Sequence, residues 1–216
     1  MLLVVDNGSI YTKQLTDFLT KKNFSYEKYS PYILELNSLQ KYDSIILSGR
    51  RKNDKKINEV NSKIINFSIN NNKKLLGICY GAEILALTLG GTIRKSESIQ
   101  KGNEIIEVLK DNLIIKNSIN VFESHAFEIS KLPNMLITIG KSDNCKYEII
   151  QHKEKLIFDA QFHREMSLDG NNLIEKLTIL EFTSFIFLSF FLLPDKIIES
   201  YFCNEFNSKI YGVYFS

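Results

Sequence analysis

Residues 74–91 read KLLGICYGAEILALTLGG, and this stretch decides the fold class. KLLGI at 74–78 is a short apolar run typical of a buried strand, whereas AEILALTLGG at 82–91 is typical of a helix that glycines close. The tight sequence GICYG at 77–81 joins the two. A strand that turns directly into a helix is the repeating step of folds in which helices cover a parallel sheet.

The first half of the chain repeats this alternation. Apolar runs at 2–6 and 44–49 end in turn residues, and apolar positions at helical spacing follow at 10–22 and 55–71. We therefore predict an α/β fold with a mostly parallel, flavodoxin-like sheet and helices on both of its faces.

The pattern changes after Gly91. Runs with strand character follow with few helical patterns between them, namely EIIEVL, NVF, MLITIG, YEIIQH and LIFDAQF. They predict a mixed or antiparallel extension of the same sheet. No linker interrupts this pattern, so we expect one domain over residues 1–175.

Residues 176–216 form an atypical, apolar C-terminal extension in this interpretation. Its stretch FTSFIFLSFFLL at 182–193 is shorter than the ~18 residues of a membrane span. We expect a helix that is buried or docks a partner, and membrane contact is the less favoured alternative.

Composition excludes several classes of protein. The chain has 216 residues, of which 44% are hydrophobic and 24% are charged, as in a soluble domain. Its net charge of +2 gives no electrostatic case for binding nucleic acid. The three cysteines (Cys79, Cys145 and Cys203) form no CxxC pair, and the N-terminal apolar run is too short for a secretory signal. We expect a cytoplasmic protein without a structural metal site.

The GICYG segment is arranged like a nucleophile elbow, with Cys79 as the nucleophile. In so tight a turn, a Cβ atom at either flanking glycine would clash. N–H groups at the start of the following helix stabilise a thiolate, so we expect the pKa of Cys79 to be lowered. The alternative is a buried structural cysteine in a glycine-rich turn.

A candidate base follows the later strand LIFDA. His163 and Glu165 are two positions apart, which places their side chains on the same side of an extended segment. A carboxylate there would orient the imidazole and stabilise its protonated form. A lone histidine at a strand end is more often only solvated or hydrogen-bonded, but the elbow elsewhere in the chain favours function.

These motifs carry a family resemblance. Over residues 1–175 the chain resembles the class I glutamine amidotransferases, through LLVVDNGSIYTKQL, IILSGR, LLGICYGAEILALTLGG, VFESHAFE and FHREMSLDG. Within that family the motifs are most similar to the glutaminase subunit or domain of GMP synthetase. The most specific element is GICYG combined with the later FHxE.

The resemblance implies a catalytic apparatus. Cys79 would attack the side-chain amide of glutamine and form a thioester. His163 would take the thiol proton and return it to the leaving ammonia, and Glu165 would orient His163. The backbone N–H groups of Gly49 and Tyr80 would form the oxyanion hole. Ser124, His125 and Ala126 match the loop that holds the α-amino and α-carboxylate groups of the substrate.

Three positions depart from the family pattern. Glu83 stands where a substrate-contacting glutamine is common, and a carboxylate cannot donate as an amide does. Arg50 stands where a second glycine is common, and Arg164 where proline is usual. None of these changes removes a catalytic group.

The resemblance also implies partners. The substrate would be glutamine, and ammonia would pass to a separate ATP-dependent GMP synthetase subunit. No cofactor is expected in this chain, because ATP and Mg²⁺ would bind the synthetase. Two alternatives remain open: a catalytically weak binding or regulatory protein, and a cysteine hydrolase of γ-glutamyl compounds.

For several other residues, a structural or solvent-exposed role is the simpler interpretation. A purely structural role competes with substrate binding for His125, and we expect His152, Cys145 and Cys203 to be structural. The basic residues at 50–56 are more typical of a solvated loop than of a phosphate site.

Overall fold

The computed structural model describes residues 1–109, 112, 115 and 117–179. The helices and strands, in chain order, are β1 (Leu2–Val5), α1 (Thr12–Lys21), β2 (Tyr26–Tyr29), β3 (Ser44–Leu47), α2 (Lys55–Asn70), β4 (Lys74–Ile78), α3 (Tyr80–Thr88), β5 (Thr92–Val108), β6 (Ile119–Lys131), β7 (Leu136–Lys141), β8 (Ile149–His152), β9 (Ile157–Ala160) and α4 (Leu168–Ile179). Short 3-10 turns lie at Leu36–Lys41 and Arg164–Met166.

The strands of the described residues form one sheet in the order β2-β1-β3-β4-β9-β8-β7-β5-β6. The strands from β2 to β9 in this order are parallel, whereas β8, β7, β5 and β6 are joined by antiparallel pairings. The predicted α/β class, with its mostly parallel sheet and mixed extension, is confirmed.

The core lies on both sides of the parallel strands. Every residue of β1, β3 and β9 is buried. Because successive side chains of a strand point to opposite faces, full burial means that both faces are covered. On one side, α2 buries the apolar positions Ile57, Val60, Ile64 and Ile65. The Asp54 side chain caps this helix by accepting a hydrogen bond of 2.9 Å from the Ile57 N–H.

Some elements differ from the sequence-based expectation. β2 reads YEKY and lies at the sheet edge with its side chains partly exposed. Its sequence therefore contains no apolar run from which a strand could be predicted. The hairpin strand β5 begins at Thr92 rather than near residue 104, because most of its first half faces solvent and carries polar residues. α3 begins at Tyr80 rather than 82, since the turn before it contains only Cys79.

The predicted apolar segment at 182–193 lies outside the described residues. Among the residues that the structure describes, no helix is both long and apolar enough to cross a membrane.

Gly81 packs closely against the sheet at the start of α3, so a substitution there tests this packing. A Cβ atom at Gly81 would lie 2.9 Å from the Leu47 carbonyl oxygen on β3. We expect Gly81→Ala to lower the free energy of unfolding by about 1–3 kcal/mol, because backbone atoms would have to move apart. Chemical denaturation measures this loss.

The matched control is Leu87→Ala on the same helix, at a side chain that is 40% exposed. We expect its cost to be smaller than that of the glycine substitution. Equal stability of Gly81→Ala and the unsubstituted protein would contradict the inferred contact.

Candidate active site

The turn between β4 and α3 holds Cys79 in a conformation that L-residues rarely adopt. Its φ is +52° and its ψ is −101°. The Cys79 N–H donates a 2.7 Å hydrogen bond to the Ala160 carbonyl, and the Cys79 carbonyl accepts one of 3.0 Å from Ala82. Backbone strain of this kind costs on the order of 1–3 kcal/mol and clusters at functional sites.

The glycines on either side of Cys79 are required by close neighbours. A Cβ atom at Gly77 would meet the Asp159 carboxyl group on β9, which accepts a hydrogen bond from the Gly77 N–H. A Cβ atom at Gly81 would meet the backbone of β3. The expected clash at both flanking glycines is therefore present, but only that at Gly81 involves backbone atoms.

His163 follows β9, and β9 lies beside β4, which leads to Cys79. Ala160 at the end of β9 is the register partner of Ile78, which precedes Cys79. The chain then crosses towards β6, where the His163 N–H donates a 2.9 Å hydrogen bond to the Phe122 carbonyl. Because β4 and β9 are paired in parallel, the residues that follow them, Cys79 and His163, lie at the same edge of the sheet.

Glu165 lies beside His163, as the His-x-Glu spacing predicts. Its Oε1 atom is 3.0 Å from the His163 Nδ1 atom, and both side chains are buried. The segment is a 3-10 turn rather than an extended strand, so the contact arises by a different local geometry. An imidazole held by a carboxylate at Nδ1 presents Nε2 for proton transfer.

Tyr11 is a residue of this site that sequence reasoning missed. Its ring lies 4.4 Å from the His163 ring, centroid to centroid, and its hydroxyl donates a 3.3 Å hydrogen bond to the Ser124 hydroxyl. The residue lies in the family-like motif LLVVDNGSIYTKQL, which was the available signal. Tyr11 fixes one face of the base and links it to the predicted substrate loop.

The predicted oxyanion donors lie at the nucleophile and at the base. A Cβ atom at Gly49 would be 2.9 Å from His163 Cε1, so the backbone of Gly49 lies directly against the imidazole. The Tyr80 N–H is directed at the Cys79 sulfur and favours its thiolate. Gly49 follows β3 by two residues, and Tyr80 is the first residue of α3.

The expectation of a lowered cysteine pKa is wrong for this structure. Burial raises the pKa of Cys79 well above its ordinary value, and the charges of Glu83, Glu123 and Glu165 raise it further. The Tyr80 N–H acts in the expected direction but is outweighed. Ionising the Cys79 thiol is therefore harder in this structure than ionising a free cysteine.

The predicted substrate residues on β6 divide between two environments. Ser124 and Ala126 are partly exposed, whereas Glu123 and His125 are buried. The His125 Nδ1 atom lies within hydrogen-bond distance of the Phe127 carbonyl oxygen, at 2.9 Å, whereas Nε2 lies 2.9 Å from Glu123 Oε2 without the geometry of a hydrogen bond. This favours the structural interpretation of the His125 side chain.

Sequence patterns gave no signal for the buried acids near the site. Burial raises the pKa of Glu123 to about 7 and raises that of Glu148 well above its ordinary value. The Ser142 hydroxyl donates a 2.7 Å hydrogen bond to Glu148. Among the described residues, no group of three or more histidine, cysteine or acidic side chains is arranged to hold a metal ion.

Comparison with known proteins decides the family. The family model described as glutamine amidotransferase class-I matches residues 3–178. The chain belongs to this family. Its elbow cysteine and the paired histidine and glutamate are the parts that the resemblance assigns to catalysis.

Curated relatives of the amidotransferase carry a common name. A GMP synthase (glutamine-hydrolyzing) subunit of Pyrococcus furiosus is 30% identical over 173 residues, which cover 77% of this chain and 90% of that protein. The GMP synthase (glutamine-hydrolyzing) of Thermosipho melanesiensis is 29% identical over 171 residues. The match spans only 33% of the length of that second protein.

A solved structure shares the fold of the amidotransferase. The crystal structure of a putative GMP synthase subunit from Thermoplasma acidophilum has a TM-score of 0.73 and 25% sequence identity. The similarity covers 82% of this chain and 90% of that one.

Of the three residues predicted to depart from the family pattern, Glu83 and Arg164 are buried and Arg50 is largely buried. The Glu83 carboxylate is buried, with Gln161 Nε2 at 3.5 Å and Arg50 Nη2 at 4.0 Å. Burial raises the pKa of Glu83, and Arg50 opposes that shift. Burial lowers the pKa of Arg164 to about 10, against the opposing charges of Asp159 and Glu165. Arg50 and Glu83 are therefore neighbours in space.

The raised pKa of Cys79 predicts how the free amidotransferase reacts with iodoacetamide. Because only the thiolate is alkylated, the rate at Cys79 should still be rising at pH 9. At pH 8 it should be below the rate of the same cysteine in the unfolded protein. Peptide-resolved mass spectrometry over a pH series measures both. A plateau below pH 8 would show that the thiol ionises easily and would contradict this assignment.

Proposed function

We propose that this chain is the glutaminase subunit of a GMP-forming synthetase. It hydrolyses glutamine through a thioester on Cys79 and passes the ammonia to a separate ATP-dependent synthetase subunit. The observation that carries the proposal is the elbow cysteine at the same sheet edge as the buried His163–Glu165 pair. The relatives named as glutamine-hydrolysing GMP synthase subunits support the choice of acceptor pathway.

The first half-reaction follows from the arrangement of the site. The Cys79 sulfur attacks the side-chain amide carbon of glutamine while His163 accepts the thiol proton. The carbonyl oxygen becomes an oxyanion, to which the N–H groups of Gly49 and Tyr80 would donate. The carbon–nitrogen bond then breaks, and the imidazolium returns its proton to the leaving nitrogen, which departs as ammonia.

The second half-reaction regenerates the thiol. Neutral His163 takes a proton from water as the water attacks the thioester carbon. The carbon–sulfur bond breaks, glutamate is released, and the proton returns to the Cys79 sulfur. The Glu165 carboxylate stabilises the imidazolium in both halves, because it lies 3.0 Å from Nδ1.

The substrate and partners follow from the same proposal. Glutamine would lie along β6, with Ser124 and Ala126 on the partly exposed side of that strand and Glu83 at the helix side. ATP and Mg²⁺ would bind the synthetase subunit rather than this chain. Both subunits would work in the cytoplasm.

Exposure to the glutamine mimic 6-diazo-5-oxo-norleucine tests the proposed site directly. Mass spectrometry of the intact protein should show a single adduct on Cys79, and excess glutamine should slow its formation. Cys79→Ala should remain unlabelled, whereas the matched variant Cys145→Ala should be labelled like the parent. Cys145 is a second buried cysteine, with no assigned chemistry.

The contrary result would be decisive. If no adduct formed even with a GMP synthetase subunit present, the glutaminase proposal would be wrong. A binding or regulatory role would then be the better account of the fold.

Glu165→Gln tests the orientation of the base. An amide can hold the ring but cannot stabilise the imidazolium, so the rate of labelling should fall about a hundredfold. Glu154→Gln changes an exposed acid in the turn before β9, away from the site, and serves as the control that should label at the parental rate. Equal rates for the two variants would remove Glu165 from the mechanism.

A further inference from the structure

Arg50 differs from the other basic residues of its loop. We call residues 48–54, which follow β3, the oxyanion loop, because Gly49 lies in it. Arg51 and Lys52 are exposed, as expected of a solvated loop. The Arg50 side chain is only 16% exposed and turns inwards to α2 and α3.

The two terminal nitrogens and the central carbon of the Arg50 guanidinium each have a neighbour. Its Nη1 atom donates to the Asn53 and Asn58 side-chain oxygens at 2.9 and 2.5 Å. Its Nη2 atom lies 4.0 Å from the Glu83 carboxylate. The central carbon lies 3.9 Å from the centroid of the Tyr80 ring, a cation–π distance.

The partners of Arg50 also contact one another. The Tyr80 hydroxyl donates a 2.9 Å hydrogen bond to the same Asn58 oxygen that accepts from Arg50. Asn58 is on α2, and Tyr80 and Glu83 are one turn apart on α3. The side chain of Arg50 thus ties the oxyanion loop to both helices, and one of its contacts is the residue whose N–H faces the nucleophile.

We propose that Arg50 is a positioning residue that holds the oxyanion loop against the first turn of α3, with Glu83 as its buried counter-charge. The guanidinium of Arg50 holds the loop backbone in place, and the Glu83 carboxylate is the charge that it faces. The proposal rests on the proposed glutaminase function, because it concerns the donors of that oxyanion hole.

The physical reason lies in how oxyanion donors act. They lower the barrier only when their N–H groups already point to the place where negative charge develops, and small displacements cost large factors in rate. A planar guanidinium with partners on three sides restricts its own backbone more than a lysine does. A buried Glu83 without this cation would be an unpaired charge beside the thiol.

The test compares the full-length parent with Arg50→Met, using the diazoketone at several concentrations. Methionine keeps an unbranched apolar chain against Tyr80 but removes the charge and the donors. We expect the maximal labelling rate to fall about tenfold or more, while the half-saturating concentration changes less than about threefold. Hydrogen exchange of residues 48–54 should become faster, since the loop loses its ties.

Two further variants sharpen the result. Arg51→Met is the same substitution at the adjacent, exposed position and should match the parent in both measurements. Arg50→Lys keeps a cation opposite Glu83 and should recover part of the labelling rate, which a loss of stability alone would not explain. If Arg50→Met does not fold, Arg50→Lys against Arg51→Met carries the comparison.

The outcomes separate this proposal from the proposed function. If Arg50→Met behaved like Arg51→Met, or if its whole effect lay in the half-saturating concentration, the positioning role would be overturned. If the parent itself were never labelled, the glutaminase function would fail. Hydrogen exchange alone would then decide for or against the tie between the oxyanion loop and α3.

Discussion

The parallel pairing of β4 with β9 is the contact on which the site depends. Cys79 and His163 are distant in the chain, yet Ile78, one residue before Cys79, and Ala160, three residues before His163, are register partners. The Cys79 N–H continues this ladder by donating to Ala160 at 2.7 Å. The strained turn at the nucleophile is thus held by the same hydrogen bonds that build the sheet, which lets a buried thiol keep an unfavourable φ without local flexibility.

Burial sets the electrostatics of the site. A thiol surrounded by carboxylates in a region of low dielectric keeps its proton, and the helix N-terminus does not reverse this effect. In the proposed mechanism, transfer of the thiol proton to His163 would therefore be part of the attack. The Glu165 carboxylate, 3.0 Å from His163 Nδ1, would stabilise the imidazolium that forms.

Close packing explains why small residues recur around the nucleophile. Gly49, Gly77 and Gly81 each have a neighbour where a Cβ atom would lie: an imidazole carbon, a carboxyl group and a backbone carbonyl. Arginine at position 50 has the opposite property, since it fills the space between the oxyanion loop and two helices. The site combines positions that exclude side chains with one that uses a long, planar side chain to bridge elements.

The sequence by itself determined the fold class and the three catalytic candidates. Short apolar runs, helical spacing and GICYG are local signals, because they follow from how each segment buries its own side chains. β2 and the first half of β5 lack such a signal, since they face solvent. Only the tertiary structure decided the raised pKa of Cys79, the contact of Tyr11 with His163 and the pairing of Arg50 with Glu83. Burial and charge at these positions come from elements that lie far apart in the chain, so no local pattern of residues could reveal them.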